Sequence, residues 1–311
     1  MAKQADLLKS WIAEKTGEAT RDVLKGRIDG ARVMAVSSGK GGVGKSNVTL
    51  NLAMALADRE QRVLVLDADL GLANINIMLG YEPQYTLWDV VQEKVPLRHT
   101  IQAGPRGIRI IPGGSGITEL ASLNTVEISR IIEGFQDLEG ECDWLMLDTG
   151  AGISANVLSF VLAADEAIVV TNPEPTALAD AYGLIKAVWE AEGAVTLKLV
   201  MNRVAQKETG LQMGERLTKL ADRALGKPVE FLGMISEDAN VARAVLRQEP
   251  FWSLYPKSAA SQDVAVIADR LLERIPSPRR GGWGAFIRRL RDTIPKIEKS
   301  GGTIGTGQGG M

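Results

Sequence analysis

Residues 39–46 read Gly-Lys-Gly-Gly-Val-Gly-Lys-Ser, between the apolar run Val33–Val36 and the helical stretch Lys45–Ala57. A glycine-rich turn with a strand before it and a helix after it is suited to holding phosphate. Glycines let successive backbone N–H groups turn inward, and the helix contributes the positive end of its dipole. On this reading Gly39, Gly41, Gly42, Val43 and Gly44 supply main-chain donors. Lys45 reaches the outer phosphates, Ser46 offers its hydroxyl to Mg²⁺, and Asn47 completes the set. A glycine turn without a ligand would not need these flanks. Lys40 is surplus to such a loop, which needs no lysine at that position.

Two acidic clusters follow apolar runs. Val63–Leu66 leads into Asp67-Ala-Asp69, and Leu145–Leu147 leads into Asp148-Thr-Gly150. Carboxylates just past a strand can be simple helix caps. Beside a phosphate loop the stronger reading is Mg²⁺ binding, with Ser46, Asp67 and Asp148 as ligands directly or through water, and Asp69 placing a water.

Other chemistries are bounded by what is scarce. The chain has one cysteine, Cys142, and one histidine, His99. An internal disulfide, a Cys/His zinc site and a CxxC pair are all excluded. Cys142 stands at the entry to a buried strand and reads as an inert thiol, and His99 reads as a surface residue. Catalysis must use carboxylates, lysines, backbone amides and an oxygen-held metal. A net charge of −2 argues against a domain held to nucleic acid by its overall charge.

The elements that must position these groups alternate. Apolar runs at Val33–Val36, Val63–Leu66, Ile108–Ile111, Leu145–Leu147, Ala167–Val170, Leu197–Met201 and Phe231–Met234 read as strands. Several are apolar throughout, as in a parallel sheet covered on both faces. Helical stretches lie between them, among them Lys45–Ala57, Val126–Phe135, Ala177–Glu190 and Ala259–Arg274. The expected fold is α/β, a doubly wound and mostly parallel sheet with helices on both faces and ligands at the carboxyl ends of its strands.

Three parts follow from composition: 1–30, a short helix over 3–15 and a linker; 31–275, the nucleotide domain; and 276–311, a Pro/Gly hinge, an amphipathic helix and a glycine-rich tail expected to be disordered. In the last part Trp283, Phe286, Ile287, Leu290 and Ile294 share one helical face, with Arg288, Arg289 and Arg291 off it. That pattern suits the headgroup boundary of an anionic membrane, and the hinge favours a detached helix. No apolar leader opens the chain and no apolar run reaches the length of a membrane span. The expectation is a cytoplasmic protein that lies peripherally at the inner face of the cell membrane when its nucleotide is bound.

Gly39–Ser46, the block Asp67–Asn74 and Asp148–Ile153 together resemble the MinD/ParA ATPases, whose phosphate loop is the deviant Walker A kind. The resemblance spans about residues 31–275 and implies ATP and Mg²⁺ as ligands. It also implies a homodimer in which Lys40 reaches across the two-fold axis to the partner's phosphates, acting with Lys45 and Asp69 in hydrolysis. By the same resemblance Asn202 reads adenine. Ile235-Ser-Glu-Asp238 stands where the family has Ile-Pro-Glu-Asp beside the base, which brings in Glu237 and Asp238; Ser236 departs from that pattern.

Within the superfamily, iron–sulfur carriers need paired cysteines that this chain lacks. The finer resemblance is to flagellar-number regulators of the FlhG/FleN type. It is carried by Ser46–Asn51, by Ile111–Ala121 and by Lys3–Lys9, which is similar to their N-terminal activator motif but has lysines at its first and last positions. This implies a regulator of flagellar number or placement. Its partners would be a signal-recognition-type GTPase met through Gln4 and Leu8, flagellar switch proteins or a transcription activator. A division-site or partitioning ATPase, or an assembly factor without turnover, are the alternatives.

Overall fold

The structure, a computed structural model, describes residues 30–69, 74–114, 125–191, 195–273 and 282–301. The N-terminal helix with Gln4 and Leu8, the Pro/Gly hinge and the glycine-rich tail lie outside the described residues.

The chain opens with β1 (Arg32–Ser38), α1 (Lys45–Ala57), β2 (Val63–Ala68), α2 (Ile75–Met78) and α3 (Leu87–Val91). Next come β3 (Gln102–Ala103), β4 (Arg109–Ile111), α4 (Thr125–Gln136), β5 (Trp144–Ala151), α5 (Ala155–Ala163) and β6 (Glu166–Thr171). Then follow α6 (Pro175–Glu190), β7 (Thr196–Val204), α7 (Lys207–Leu225) and β8 (Glu230–Ser236). The described part closes with α8 (Ala239–Leu246), α9 (Phe251–Leu254), α10 (Ala259–Glu273) and α11 (Gly282–Gly301).

One eight-stranded sheet runs in the order β3-β4-β2-β5-β1-β6-β7-β8. Its pairings are parallel except for the two-residue β3, which lies antiparallel to β4. The expected doubly wound α/β sheet is therefore present.

Alternation of side chains explains why the strands are apolar throughout. Val33 and Ala35 of β1 face one core with Phe135 of α4, Phe160 of α5 and Leu184 of α6. Met34 and Val36 face a second core with Leu50 and Met54 of α1 and Val264 and Ile267 of α10. A strand with helices on both sides has no face to leave polar.

The C-terminal helix differs from expectation. The apolar face of α11 is docked on its own chain: Trp283, Phe286, Ile287 and Leu290 are buried in the core of α4, α5 and α6. The indole Nε1 of Trp283 donates to the Phe135 carbonyl at 2.6 Å, and the Phe135 ring meets Trp283 edge-on at 5.7 Å and Phe286 at 6.2 Å. Arg289 donates to the Ala163 carbonyl at 2.7 Å and to Asp165 at 2.8 Å, while Arg288 and Arg291 are exposed. The physical reason is plain: α4, α5 and β1 offer this stripe an apolar groove, and burying two large aromatic rings there is strongly favourable.

Buried charges also gather at the amino ends of the central strands. Arg32 Nε donates to Glu166 at 3.0 Å, its Nη1 to the Leu271 carbonyl at 2.8 Å, and its guanidinium lies 4.4 Å from the Trp144 ring centre. Lys198 bridges Glu166 at 3.8 Å and Glu230 at 2.8 Å. Asp165 accepts from the Val33 N–H at 3.0 Å.

Candidate functional site

Strand register assembles the site from distant segments. Asp67 on β2 is aligned with Asp148 on β5, and Asp148 with Val36 on β1. Three neighbouring strands thus carry the two carboxylates and the glycine-rich loop to one edge of the sheet, the carboxyl edge at which such folds bind ligands.

The loop 39–44 has the conformation its glycines permit. Gly42 and Gly44 have φ of 80° and 93°, values that side chains other than glycine rarely adopt. Gly39 is needed for another reason: a Cβ there would lie 2.1 Å from the main chain of Asp180 in α6. Val43 is buried and contributes to the core.

Lys45 Nζ donates to Asp148 Oδ1 at 2.9 Å and approaches Ser46 Oγ at 3.4 Å. Thr49, one turn further along α1, donates to the same Asp148 oxygen at 3.0 Å. The other oxygen, Asp148 Oδ2, is buried without a hydrogen-bond partner. Asp67 accepts from the backbone N–H groups of Asn74 and Ile75 at 3.0 and 3.1 Å and from that of Asp69 at 3.3 Å. Burial raises the Asp67 carboxyl above its ordinary value, and the neighbouring Asp148 charge pushes the same way. Asp69, half-buried, is raised for the same first reason, with Lys45 opposing.

Two cavities meet here. One of about 920 Å³ is lined by the loop, Lys45, Ser46, Asn47, Asp69, Asn74 and Arg203. The second, about 820 Å³, is lined by Asn202, Ser236, Glu237, Asp238 and the face of α8. Gly44, Asn47 and Arg203 border both, so the cleft beside the loop runs on into the second cavity. Asn202 is buried, its amide donating to the Val43 carbonyl at 2.8 Å. Asp238 lines the pocket but spends its carboxylate capping α8 and bonding the Ala260 N–H. Ser236 earns its departure from the family's proline: its N–H donates to Asp263 at 2.8 Å, a bond proline cannot make.

Lys40 does not line the phosphate cleft of its own chain. Its Nζ donates to Glu174 at 2.8 Å and to Thr176 at 3.1 Å, at the start of α6.

Sequence reasoning missed Thr49, Glu174, Thr176 and Arg203. Thr49 could have been found, since it lies four residues after Lys45 on one helix face. Arg203 sits beside Asn202 but at φ 55°, a left-handed value that no sequence signal announces. Away from the site, Cys142 is buried with its thiol pushed up to about 12 by that burial, and His99 is exposed. Among the described residues no three His, Cys, Asp or Glu side chains cluster as a metal site, so a divalent ion must rely on ligand phosphates and water as well.

Comparison with known proteins agrees with this geometry. The ParA family model, described as an NUBPL iron-transfer P-loop NTPase, matches residues 30–272. The antiactivator FleN of Pseudomonas aeruginosa is 39% identical, covering 85% of this chain and 95% of its own length. The flagellum site-determining protein YlxH of Helicobacter pylori is 33% identical, covering 83% and 89% respectively. Among solved structures, septum site-determining MinD of Pyrococcus horikoshii in complex with Mg-ADP superposes with a TM-score of 0.66 at 28% identity, covering 78% of this chain and 96% of its own. A single buried cysteine gives no thiolate pair for iron transfer. The chain belongs to the ParA/MinD family of P-loop NTPases.

Proposed function

We propose that the protein is an ATP-hydrolysing dimerisation switch that regulates the number or placement of flagella. The observation that carries the switch is the place of Lys40. A cation in the phosphate loop that stands off its own cleft, on Glu174 and Thr176, is available to the cleft of a second copy. The flagellar role is supported by the relatives, since FleN is an antiactivator and YlxH determines flagellar site, and the match to FleN exceeds that to Bacillus subtilis MinD at 30% identity.

The residues fit Mg-ATP. Asp148 keeps one buried oxygen without a partner, Ser46 offers a hydroxyl, and both are hard oxygen donors of the kind magnesium takes. Ser46, Asp67 and Asp148 would hold the ion directly or through water. The ion, when bound, neutralises charge on the phosphates. Lys45 and the N–H groups of residues 39–44 hold the triphosphate, and Asn202, Glu237 and Asp238 border the base. Asp69, its carboxyl raised and facing the cleft, orients the attacking water.

Lys40→Ala tests the switch: the variant should bind ATP as a monomer yet lose hydrolysis that rises cooperatively with protein concentration. Failure of Lys40→Ala to bind ATP would remove the role across the dimer.

Membrane attachment belongs to the same proposal, and the docked α11 adds a condition to it. The stripe of Trp283, Phe286, Ile287 and Leu290 can meet lipid only after leaving the core. Two helices released in one dimer would bind far better than one, through effective concentration. Sedimentation with vesicles containing anionic lipid should show binding only with ATP, and equal binding by a chain truncated at Gly281 would end this part.

A further inference from the structure

Thr49 is wholly buried on α1, one turn past Lys45, and its hydroxyl meets two acceptors. It lies 3.0 Å from the Lys45 carbonyl and 3.0 Å from Asp148 Oδ1. A hydroxyl has one proton and can serve only one of the two fully. The first contact is the ordinary back-bond of a threonine inside a helix. The second differs in kind, because its acceptor is a buried carboxylate 99 residues further along the chain. Lys45 Nζ donates to that same oxygen at 2.9 Å, so two donors from one helix converge on Oδ1. Oδ2 is buried and receives none. The carboxylate is held by one oxygen and offers the other.

We propose that Thr49 keeps Asp148 in place when Lys45 turns to the nucleotide. The inference rests on the reading that Asp148 serves Mg²⁺ and Lys45 the phosphates. Those duties conflict in the empty site, where Lys45 is bonded to the carboxylate it must leave. A lysine ammonium on its flexible stem changes partners readily. An aspartate that loses its cation is free to turn about its last bond, which has no sharp rotamers. Thr49 is fixed by contrast: its side chain is short, branched at Cβ and set by the helix. Once the ammonium has gone, Oδ1 is the stronger acceptor and takes the hydroxyl proton whole. The Lys45 carbonyl loses little, because inside α1 it also accepts a main-chain N–H. Lys45 lines the cleft and Thr49 does not, so Thr49 is a positioning residue that acts through Asp148. Partners of this kind change metal affinity by about 10- to 100-fold.

The test is a Mg²⁺ titration of the full chain in the presence of a fluorescent ADP, which reads metal affinity without turnover. Thr49→Val keeps the branched shape and removes the hydroxyl. It should raise the Mg²⁺ midpoint by about tenfold, with the affinity for ADP in EDTA unchanged. Thr49→Ser restores the hydroxyl and should restore the midpoint. In an Asp148→Asn background, whose midpoint is already raised, Thr49→Val should add nothing. Thr49→Ala also lacks the hydroxyl and decides by the same criteria if the valine variant does not fold. A midpoint equal to wild type in Thr49→Val overturns the proposal and leaves the plain helix back-bond, whatever happens to thermal stability. Failure of Thr49→Ser to recover overturns it too, as does an equal loss of ADP affinity in EDTA. The parent reading fails separately: Asp148→Asn with a wild-type midpoint removes the metal from Asp148. A raised midpoint in Asp148→Asn beside an unmoved Thr49→Val removes the part of Thr49 alone.

Discussion

At the amino ends of β1, β6, β7 and β8, Arg32, Glu166, Lys198 and Glu230 pair with one another, whereas at the carboxyl ends of β2 and β5 Lys45 pairs with Asp148 in a setting that also holds Asp67 and Asp69. Both groups lie in one sheet, and the second has the raised carboxyls of Asp67 and Asp69 and opens on a cavity. The difference teaches how to tell structural charge from functional charge. Balanced ions that satisfy each other hold strands together; an excess of one sign, facing a cavity, is a site awaiting the opposite charge.

The largest expected effect separates the two ends by activity. Asp69→Ala should slow ATP hydrolysis by roughly a hundred- to ten-thousandfold, the range for a lost proton-transfer or water-positioning group, while leaving a dimer that persists in Mg-ATP on size exclusion. A variant that stays monomeric at saturating ATP would break the comparison at the carboxyl end.

Arg32→Met addresses the amino end through stability. Removing the nearer partner of a buried ion pair leaves Glu166 only Lys198 at 3.8 Å and should cost about 3 kcal/mol in urea unfolding, with the ATP affinity of the folded fraction unchanged. Asp148→Asn should do the reverse. Its Oδ1 can still accept from Lys45 and Thr49, and relief of the charge beside Asp67 offsets part of what Lys45 loses, so stability should fall by less than in Arg32→Met while Mg²⁺-dependent turnover is lost. A large stability loss in Asp148→Asn would mean that both clusters are structural.

The smallest effect is an absence of reaction. Cys142 sits just before β5 at the amino end, and with a thiol pushed up to about 12 only about one in ten thousand molecules is thiolate at pH 8. Iodoacetamide should label it in urea and leave the native protein untouched. Rapid native labelling would show that this end opens far more readily than its packing implies.

Much of this contrast could not be read from the sequence. Strand interiors were legible because apolar runs such as Val63–Leu66 report burial on both faces. Strand ends were not, since β2, β5 and β7 continue through Asp67, Asp148 and Asn202, where polarity mimics a loop. The phosphate loop was legible because its glycines and lysine are contiguous. Arg32, Glu166 and Lys198 look like ordinary polar flanks, and only the register of parallel strands reveals that they meet. Lys40 and Glu174 are 134 residues apart, with no pattern joining them. Helix α11 teaches a different limit: an aromatic stripe beside arginines has one periodicity whether it lies on lipid or on its own core, so amphipathicity alone does not choose the surface.

The central place of β1 has a consequence for synthesis on the ribosome. Its two neighbours are β5 and β6, so the strand bearing the phosphate loop has no sheet partner until Ala151 has been made and lacks its second until Thr171. The first is roughly 110 residues after Ser38, and at about 5–20 residues per second the wait is on the order of ten seconds. Through that interval the run Val33–Val36 is a naked apolar segment on a nascent chain. Trigger-type chaperones that shield such segments should therefore govern the yield of this protein more than they would that of a fold built from local hairpins.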